Sequence, residues 1–255
     1  MIDTASSLSE DEFLGGRLRL KQPHRGHRAG HDAILLAAST PALPGERVVD
    51  FGAGVGAAGL AAASRVAGID LVLVERDAGL ADIARTNLLA NGINGRVIAL
   101  DVREVAAAFA GEGLPPDSVD RAMMNPPFNL GSHRQASPDP ARRDAHQADD
   151  DTLSTWIHAA RRVLKAGGTL SLIWRAEGID DVLAALETGF GDVRILPVHP
   201  RPAAAAIRIL VRAAKGSRAP KSLLPGIFLN DLSGATPDAI QAVLRGSAVL
   251  PLAMA

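Results

Sequence analysis

Short apolar runs alternate with longer alanine- and leucine-rich stretches of helical period through the middle of the chain, the strand–helix alternation of an open α/β sheet. A first run beginning at Arg47 leads through Asp50 into a glycine turn, Gly52-Ala53-Gly54-Val55-Gly56, and then into an alanine-rich helix over Ala57–Val66. A second strand, Ile69–Val74, ends in Glu75, and a third, Val97–Leu100, ends in Asp101. The fourth, Val119–Met124, must stop at Asn125-Pro126-Pro127-Phe128, because two consecutive prolines cannot continue a ladder. Apolar residues Leu153, Trp156, Ile157, Ala160 and Leu164 share one face of a helix over Thr152–Lys165, with Asp149 to Asp151 at its positive end and Gly167-Gly168 closing it. Trp156 is therefore expected in the core. Further on come a strand over Thr169–Ile173, a helix over Ile179–Leu186 and an antiparallel pair, Phe190–Pro197 with Ala204–Val211, around the turn His199-Pro-Arg-Pro202. A short strand is expected over Gly226–Leu229. A last helix is expected from Thr236-Pro237-Asp238, with Thr236 as its cap and Pro237 in its first position.

Open α/β sheets bind ligands at the carboxyl ends of their strands, and four successive strand ends here carry polar chemistry. The pattern G-x-G-x-G differs from the dinucleotide fingerprint, and a glycine loop alone is weak evidence. Glu75, however, follows it at the distance where a carboxylate takes a ribose diol, and Asp101 can accept from an adenine amino group. Each acid can equally be a helix cap or a solvated strand end. At Asn125 the side-chain carbonyl and a neighbouring proline carbonyl can accept both hydrogens of a planar amine, which draws the nitrogen lone pair out of conjugation. Phe128 can stack on the flat group that carries it. The alternative is a plain strand-ending turn, which also favours Asn and Pro.

The order of glycine loop, acidic end of strand two, Asp after strand three and Asn-Pro-Pro-Phe after strand four resembles the class I S-adenosylmethionine-dependent methyltransferases of the amino-methylating branch. Within that branch, Phe13-Leu-Gly-Gly-Arg-Leu-Arg-Leu-Lys-Gln-Pro23, continuing through Gly30-His-Asp-Ala-Ile-Leu-Leu-Ala37, resembles the bacterial tRNA(Val) adenine-N6 methyltransferases. The likeness runs from about Phe13 to about Leu229. Members often carry Tyr where this chain has Phe128 and Thr where it has His31. The resemblance implies a doubly wound, mostly parallel seven-stranded sheet, with residues 1–40 as a hairpin and helix packed on a main domain over residues 41–255. It implies S-adenosylmethionine as cofactor, held by Gln22, Asp32, Asp50, Gly52, Ala53, Gly54, Gly56, Glu75, Arg76, Asp101, Val102 and Asn125. Asn125, Pro126, Pro127 and Phe128 would form the catalytic corner, and the substrate would be an adenine N6 amine in RNA, foremost tRNA.

Net charge is −1, which provides no general drive toward nucleic acid, so RNA contact must come from local patches. One candidate is Arg17, Arg19, Lys21, Arg25 and Arg28; if Arg17, Arg19 and Lys21 alternate with Leu18 and Leu20 on a strand, their charges share one face. The other is a loop over Gly131–Gln147 with Arg134, Arg142 and Arg143. Both can also be solvated surface. The chain has no cysteine, which removes disulfides and thiolate zinc sites and makes a reducing cytoplasm its simplest home. Its polar, acidic start is not that of a signal peptide, and no apolar run approaches the length of a membrane span. No metal is expected: His24, His27 and His31 are close in sequence, but Pro23, Gly26 and Gly30 break the helix that their spacing needs. A monomer or weak homodimer is expected. Two other readings stay open. A protein glutamine N5-methyltransferase uses the same corner but carries a helical amino-terminal domain for which this chain has little room, and a catalytically silent RNA-binding protein can share the fold.

Overall fold

The computed structural model describes residues 8–24, 28–103, 111, 113–127 and 140–254, with side chains from residue 152 onward in the helix that begins at Pro140. A hairpin of β1 (Leu8–Phe13) and β2 (Leu18–Pro23) opens the chain and leads into α1 (His31–Ser39). Then follow β3 (Arg47–Phe51), α2 (Ala57–Arg65), β4 (Asp70–Glu75), α3 (Ala78–Ala90), β5 (Gly95–Ala99), β6 (Val119–Met124), α4 (Pro140–Val163), β7 (Leu164–Arg175), α5 (Ile179–Leu186), β8 (Phe190–His199) and β9 (Arg208–Lys215). Seven long strands lie in the order β8-β9-β7-β6-β3-β4-β5, with β9 antiparallel to both its neighbours and the other pairs parallel. Two-residue strands β10 (Ser222–Leu223) and β11 (Ile227–Phe228) add to the outer edge of β8, and α6 (Asp238–Leu244) follows.

The strands read as near-continuous apolar runs because both faces of a parallel sheet are covered. Within β4, Leu71 and Leu73 point into one core with Val48, Leu60 and α1, while Val72 and Val74 point into the other with Val49, Phe51 and Trp156. Both cores are fully buried around β4, so removing one of these leucines costs about 2–5 kcal/mol. The hairpin joins the first core through Leu18 and Leu20.

Several boundaries differ from the sequence expectation. Helix α4 starts at Pro140, not near Thr152, so residues 140–147 are helical rather than loop; Pro is well tolerated in a first turn. Its other end comes at Val163 and β7 begins at Leu164, because a bulge sets Val119 and Arg121 of β6 opposite Leu164 and Thr169 and so absorbs Gly167-Gly168 into the strand. Strand β9 starts at Arg208, since the turn before it runs through Ala203 at φ 62°. Thr236 does not cap α6. Pro237 occupies the position before the first helical residue, with no side-chain cap bond, while the Thr236 hydroxyl turns to Asn230 Oδ1 at 3.4 Å.

Candidate active site

The carboxyl ends of β3, β4 and β5 bring the three acids to one edge. At the glycine loop, Gly52 and Ala53 donate to Val74 carbonyl at 2.8 and 3.0 Å, which ties the turn to β4. Gly52, Gly54 and Gly56 all have positive φ, but for different reasons. A Cβ on Gly52 would lie 2.3 Å from the Trp156 ring, and one on Gly56 would lie 2.7 Å from Leu60. One on Gly54 would meet open space. Of the three, Gly54 is the one whose missing side chain borders open space. Trp156 is thus a core residue, as expected, and also the buttress beneath the loop.

Glu75 is buried and accepts from the Gly54 amide at 2.8 Å through one oxygen and from Asp77 at 2.9 Å through the other. Asp50, buried one strand away, accepts from Gly59 at 2.9 Å. Burial first, and the nearby Glu75 charge after it, push the Asp50 carboxyl up to about 7. Neither carboxylate has an ion-pair partner among the described residues. Asp101 is different: it takes the Arg103 guanidinium through both oxygens, at 3.1 and 2.6 Å, and that bond holds its carboxyl below the usual range. Arg76 stands 3.9 Å away and mostly exposed, and Val102 is buried beneath.

At the end of β6, Asn125 is half-buried, Pro126 buried and Pro127 exposed. The Asn125 amide makes no hydrogen bond among the described residues. Phe128, Arg25 and Arg134 lie outside those residues; Arg142 and Arg143 fall on the first turn of α4, not on a loop.

The basic run beside the hairpin is a stripe rather than a patch. Leu18, Leu20 and Gln22 of β2 are buried and Arg19 is exposed, the alternation expected. Arg17, however, sits in the turn and donates to Gly246 carbonyl at 2.9 Å. Asn87 on α3 and Asn91, the residue that caps its carboxyl end, grip β2 as a neighbouring strand would. Asn87 Oδ1 accepts from Lys21 N–H at 2.8 Å and its Nδ2 lies 3.0 Å from Lys21 carbonyl, while Asn91 bonds Arg19 N–H and carbonyl at 2.9 and 2.8 Å. Asn87 Nδ2 also donates to Val55 carbonyl in the glycine loop at 2.9 Å. Since α3 runs from the carboxyl edge of the sheet at about 1.5 Å per residue, Arg19 lies about 20 Å below that edge. Arg28 itself pairs with Asp11. Gln22 is buried with its amide bonded to Asp11 at 3.0 Å and Ala29 at 2.8 Å, and Asp32 pairs with Arg208 of β9 at 3.1 Å. In the sequence, the spacing of Asn87 and Asn91 by four was the available sign of their shared face.

Residues 31–199 match the family described as the methyltransferase small domain. The chain belongs to that family. A protein from Agrobacterium tumefaciens, its structure described as that of a predicted O-methyltransferase, is 31% identical, with a TM-score of 0.72 over 86% of this chain and 98% of that one. TrmN from Thermus thermophilus shares the fold at a TM-score of 0.53 and 22% identity, over 72% of this chain and 47% of that one. Ribosomal RNA small subunit methyltransferase C of Pseudomonas aeruginosa is 35% identical over 106 residues, 42% of this chain and 29% of that protein. Its Citrobacter koseri counterpart is 31% identical over 144 residues, 56% and 35%. The chain spans about a third of the length of these curated relatives. The family's cofactor is S-adenosylmethionine, and the described residues fit it: of two buried acids without an ion-pair partner among the described residues, Glu75 bonds Gly54, whose missing side chain leaves the space open, and Asp50 bonds Gly59 at the start of the following helix. Among the described residues no group of His, Asp and Glu is arranged to hold a metal, and no helix is long and apolar enough to cross a membrane.

Proposed function

We propose that the protein methylates the exocyclic N6 amine of an adenine in RNA, with tRNA as the foremost substrate. The observation that carries this reading is Asn125: a half-buried side-chain amide at a strand end, followed by two prolines, with no hydrogen bond among the described residues. An accessible amide at a strand end with no protein partner among the described residues is free to bond a ligand there, and we take that ligand to be the substrate amine. Its carbonyl accepts one amine hydrogen and the Pro126 carbonyl the other, which frees the nitrogen lone pair for attack. An oxygen acceptor, with a single hydrogen to give, would leave one of these carbonyls unused.

When bound, S-adenosylmethionine supplies a methyl group already activated by its sulfonium, so the protein has to bind, align and exclude water. Glu75 accepts from the ribose hydroxyls while keeping Gly54 and Asp77 in place. Asp50 and the glycine turn seat the methionine part, Val102 flanks the adenine ring and Asp101 accepts from its amino group once Arg103 yields. A base in a stem hides its amine, so the target must be unstacked or flipped into the corner. The curated relatives are named for ribosomal RNA, which makes ribosomal RNA the second substrate to test.

The test is to incubate tRNA and ribosomal RNA separately with protein and labelled cofactor, digest to nucleosides and identify the product by mass spectrometry. N6-methyladenosine in the tRNA fraction is expected. A methylated oxygen or ring carbon, or label retained only in protein, would overturn the reading.

A further inference from the structure

We infer that the outer end of the sheet's catalytic edge, formed by Phe228, His199 and Ile207 beside Arg201, holds a second unpaired base of the RNA substrate. This rests on the RNA reading above. The described aromatic side chains Phe13, Phe51, Phe190, Trp156 and Trp174 are all buried; Phe228 is 39% exposed. It lies on the same edge as Asn125, because β8 runs in the direction of β7 and β6, so that His199 and Arg175 end their strands on the side where Asn125 ends β6.

Strand register aligns the patch. Arg175 stands opposite Arg208, Arg208 opposite Val198, and one residue farther out His199 stands opposite Phe228 of β11. Ile207 donates to Val198 carbonyl at 2.9 Å and is itself 43% exposed. Four strand steps separate β6 from β11, at about 4.8 Å each, or roughly 19 Å across the edge. A few nucleotides of extended single strand bridge that distance.

The surface is also held rigid. The His199 ring is fixed by a 2.8 Å bond between its Nδ1 and Ala204 carbonyl, which makes Nδ1 the protonated nitrogen. Its centroid lies 5.2 Å from that of Phe228, with the planes at 38°. Gly226 makes room for it, since a Cβ there would lie 2.6 Å from His199 Nε2. Leu229 and Asn230 donate to His199 and Pro200 carbonyls at 2.9 and 3.1 Å, pinning the strand that carries Phe228. Arg201 is exposed in the adjoining turn. The nearest acid on the following turn, Asp231, accepts from Ser233 and Ala235 amides at 2.8 and 3.0 Å. An immobile aromatic face with an arginine beside it suits a nucleobase and its phosphate, and stacking of this kind tolerates any base.

The probe is a short, unstructured adenine-rich RNA, with its fully paired duplex as control, binding being followed by fluorescence polarisation with full-length protein. Phe228→Ala should weaken single-strand binding about tenfold. Phe228→Leu keeps the apolar volume and should lose as much, while Phe228→Trp should restore binding. Cofactor affinity and thermal midpoint should stay unchanged in all three, and duplex binding should be weaker and indifferent to the substitutions. If the wild type methylates RNA but the Ala and Leu variants bind single strands as it does, the second-base site is wrong and the function stands. If the wild type neither binds nor methylates RNA, the function and the site fall together.

Discussion

On the β3–β5 side of the catalytic edge every strand-terminal acid is already bonded, Asp50 to Gly59, Glu75 to Gly54 and Asp77, and Asp101 to Arg103; on the β6 side the Asn125 amide is left open among the described residues. In the proposed function the first half is a preformed socket whose cofactor-binding groups also hold its walls together. The second is completed by what binds. A preformed half favours tight and early cofactor binding, whereas interactions first made with the acceptor can strengthen as the transition state forms. Damage to the two halves should therefore appear in different measurements.

The sharpest break within the socket separates two glycines. Gly52→Ala forces a methyl into the Trp156 ring at a left-handed φ of 68°, and should destabilise the fold by about 2–5 kcal/mol in a denaturant titration. Gly54→Ala meets no neighbour and should cost about 1–2 kcal/mol of stability from its φ alone. Its cofactor affinity should nevertheless fall, and that fall is the decisive reading. Equal loss of stability in the two variants would contradict the division of roles.

Glu75→Ala should weaken S-adenosylmethionine binding by about 1.5–3 kcal/mol on calorimetry, the value of charge-assisted hydrogen bonds. Unchanged affinity would remove Glu75 from the site. Asn87→Ala leaves the Lys21 amide and the Lys21 and Val55 carbonyls without partners, so a loss of about 1–3 kcal/mol of stability is expected. Hydrogen exchange should quicken at both Lys21 and the glycine loop; quickening at only one would show that Asn87 does not couple them.

The last effect is electrostatic. Asp50 binds its proton more tightly in the folded protein than in the unfolded chain, where its ordinary value is 3.8. Between there and about 7 the folded state carries the extra proton, so this group makes stability fall as pH rises. The cofactor-free wild type should lose stability relative to Asp50→Asn across that window, by no more than about 1.4 kcal/mol per pH unit. A pH-independent difference would show that Asp50 does not titrate there.

The ends of β3, β4 and β6 were the most legible part of the sequence, because each is marked by local chemistry, whereas β7, β8 and β9 end at Arg175, His199 and Lys215, beyond the expected Ile173, Pro197 and Val211. Asn-Pro-Pro ends β6 at Met124, and the apolar pattern bounds α5 at Ile179 and Leu186, as found. The start of α4 was not legible: the polar stretch after Pro140 has no core-facing stripe to announce a helix, and Pro138 with Pro140 reads as a loop. Nor was the bulge in β7, since it depends on where β6 begins rather than on Gly167-Gly168. In the site, the acids and glycines were visible from their spacing, but not which glycine faces outward. That distinction depends on Trp156, which lies about a hundred residues away in sequence and touches Gly52 only through the fold. The pairing of Asp101 with Arg103, of Asp32 with Arg208 and of Gln22 with Asp11 likewise depends on rotamers and long-range packing that residue patterns do not encode.

The central claim is that Asn125 is the acceptor for the reacting amine. Single-turnover methyl transfer by Asn125→Ala, measured with saturating cofactor and RNA, tests it directly. The account predicts a fall on the order of a hundredfold or more, comparable to losing one preorganised polar contact, with cofactor and RNA dissociation constants moving only a few-fold. Transfer at the wild-type rate would contradict it.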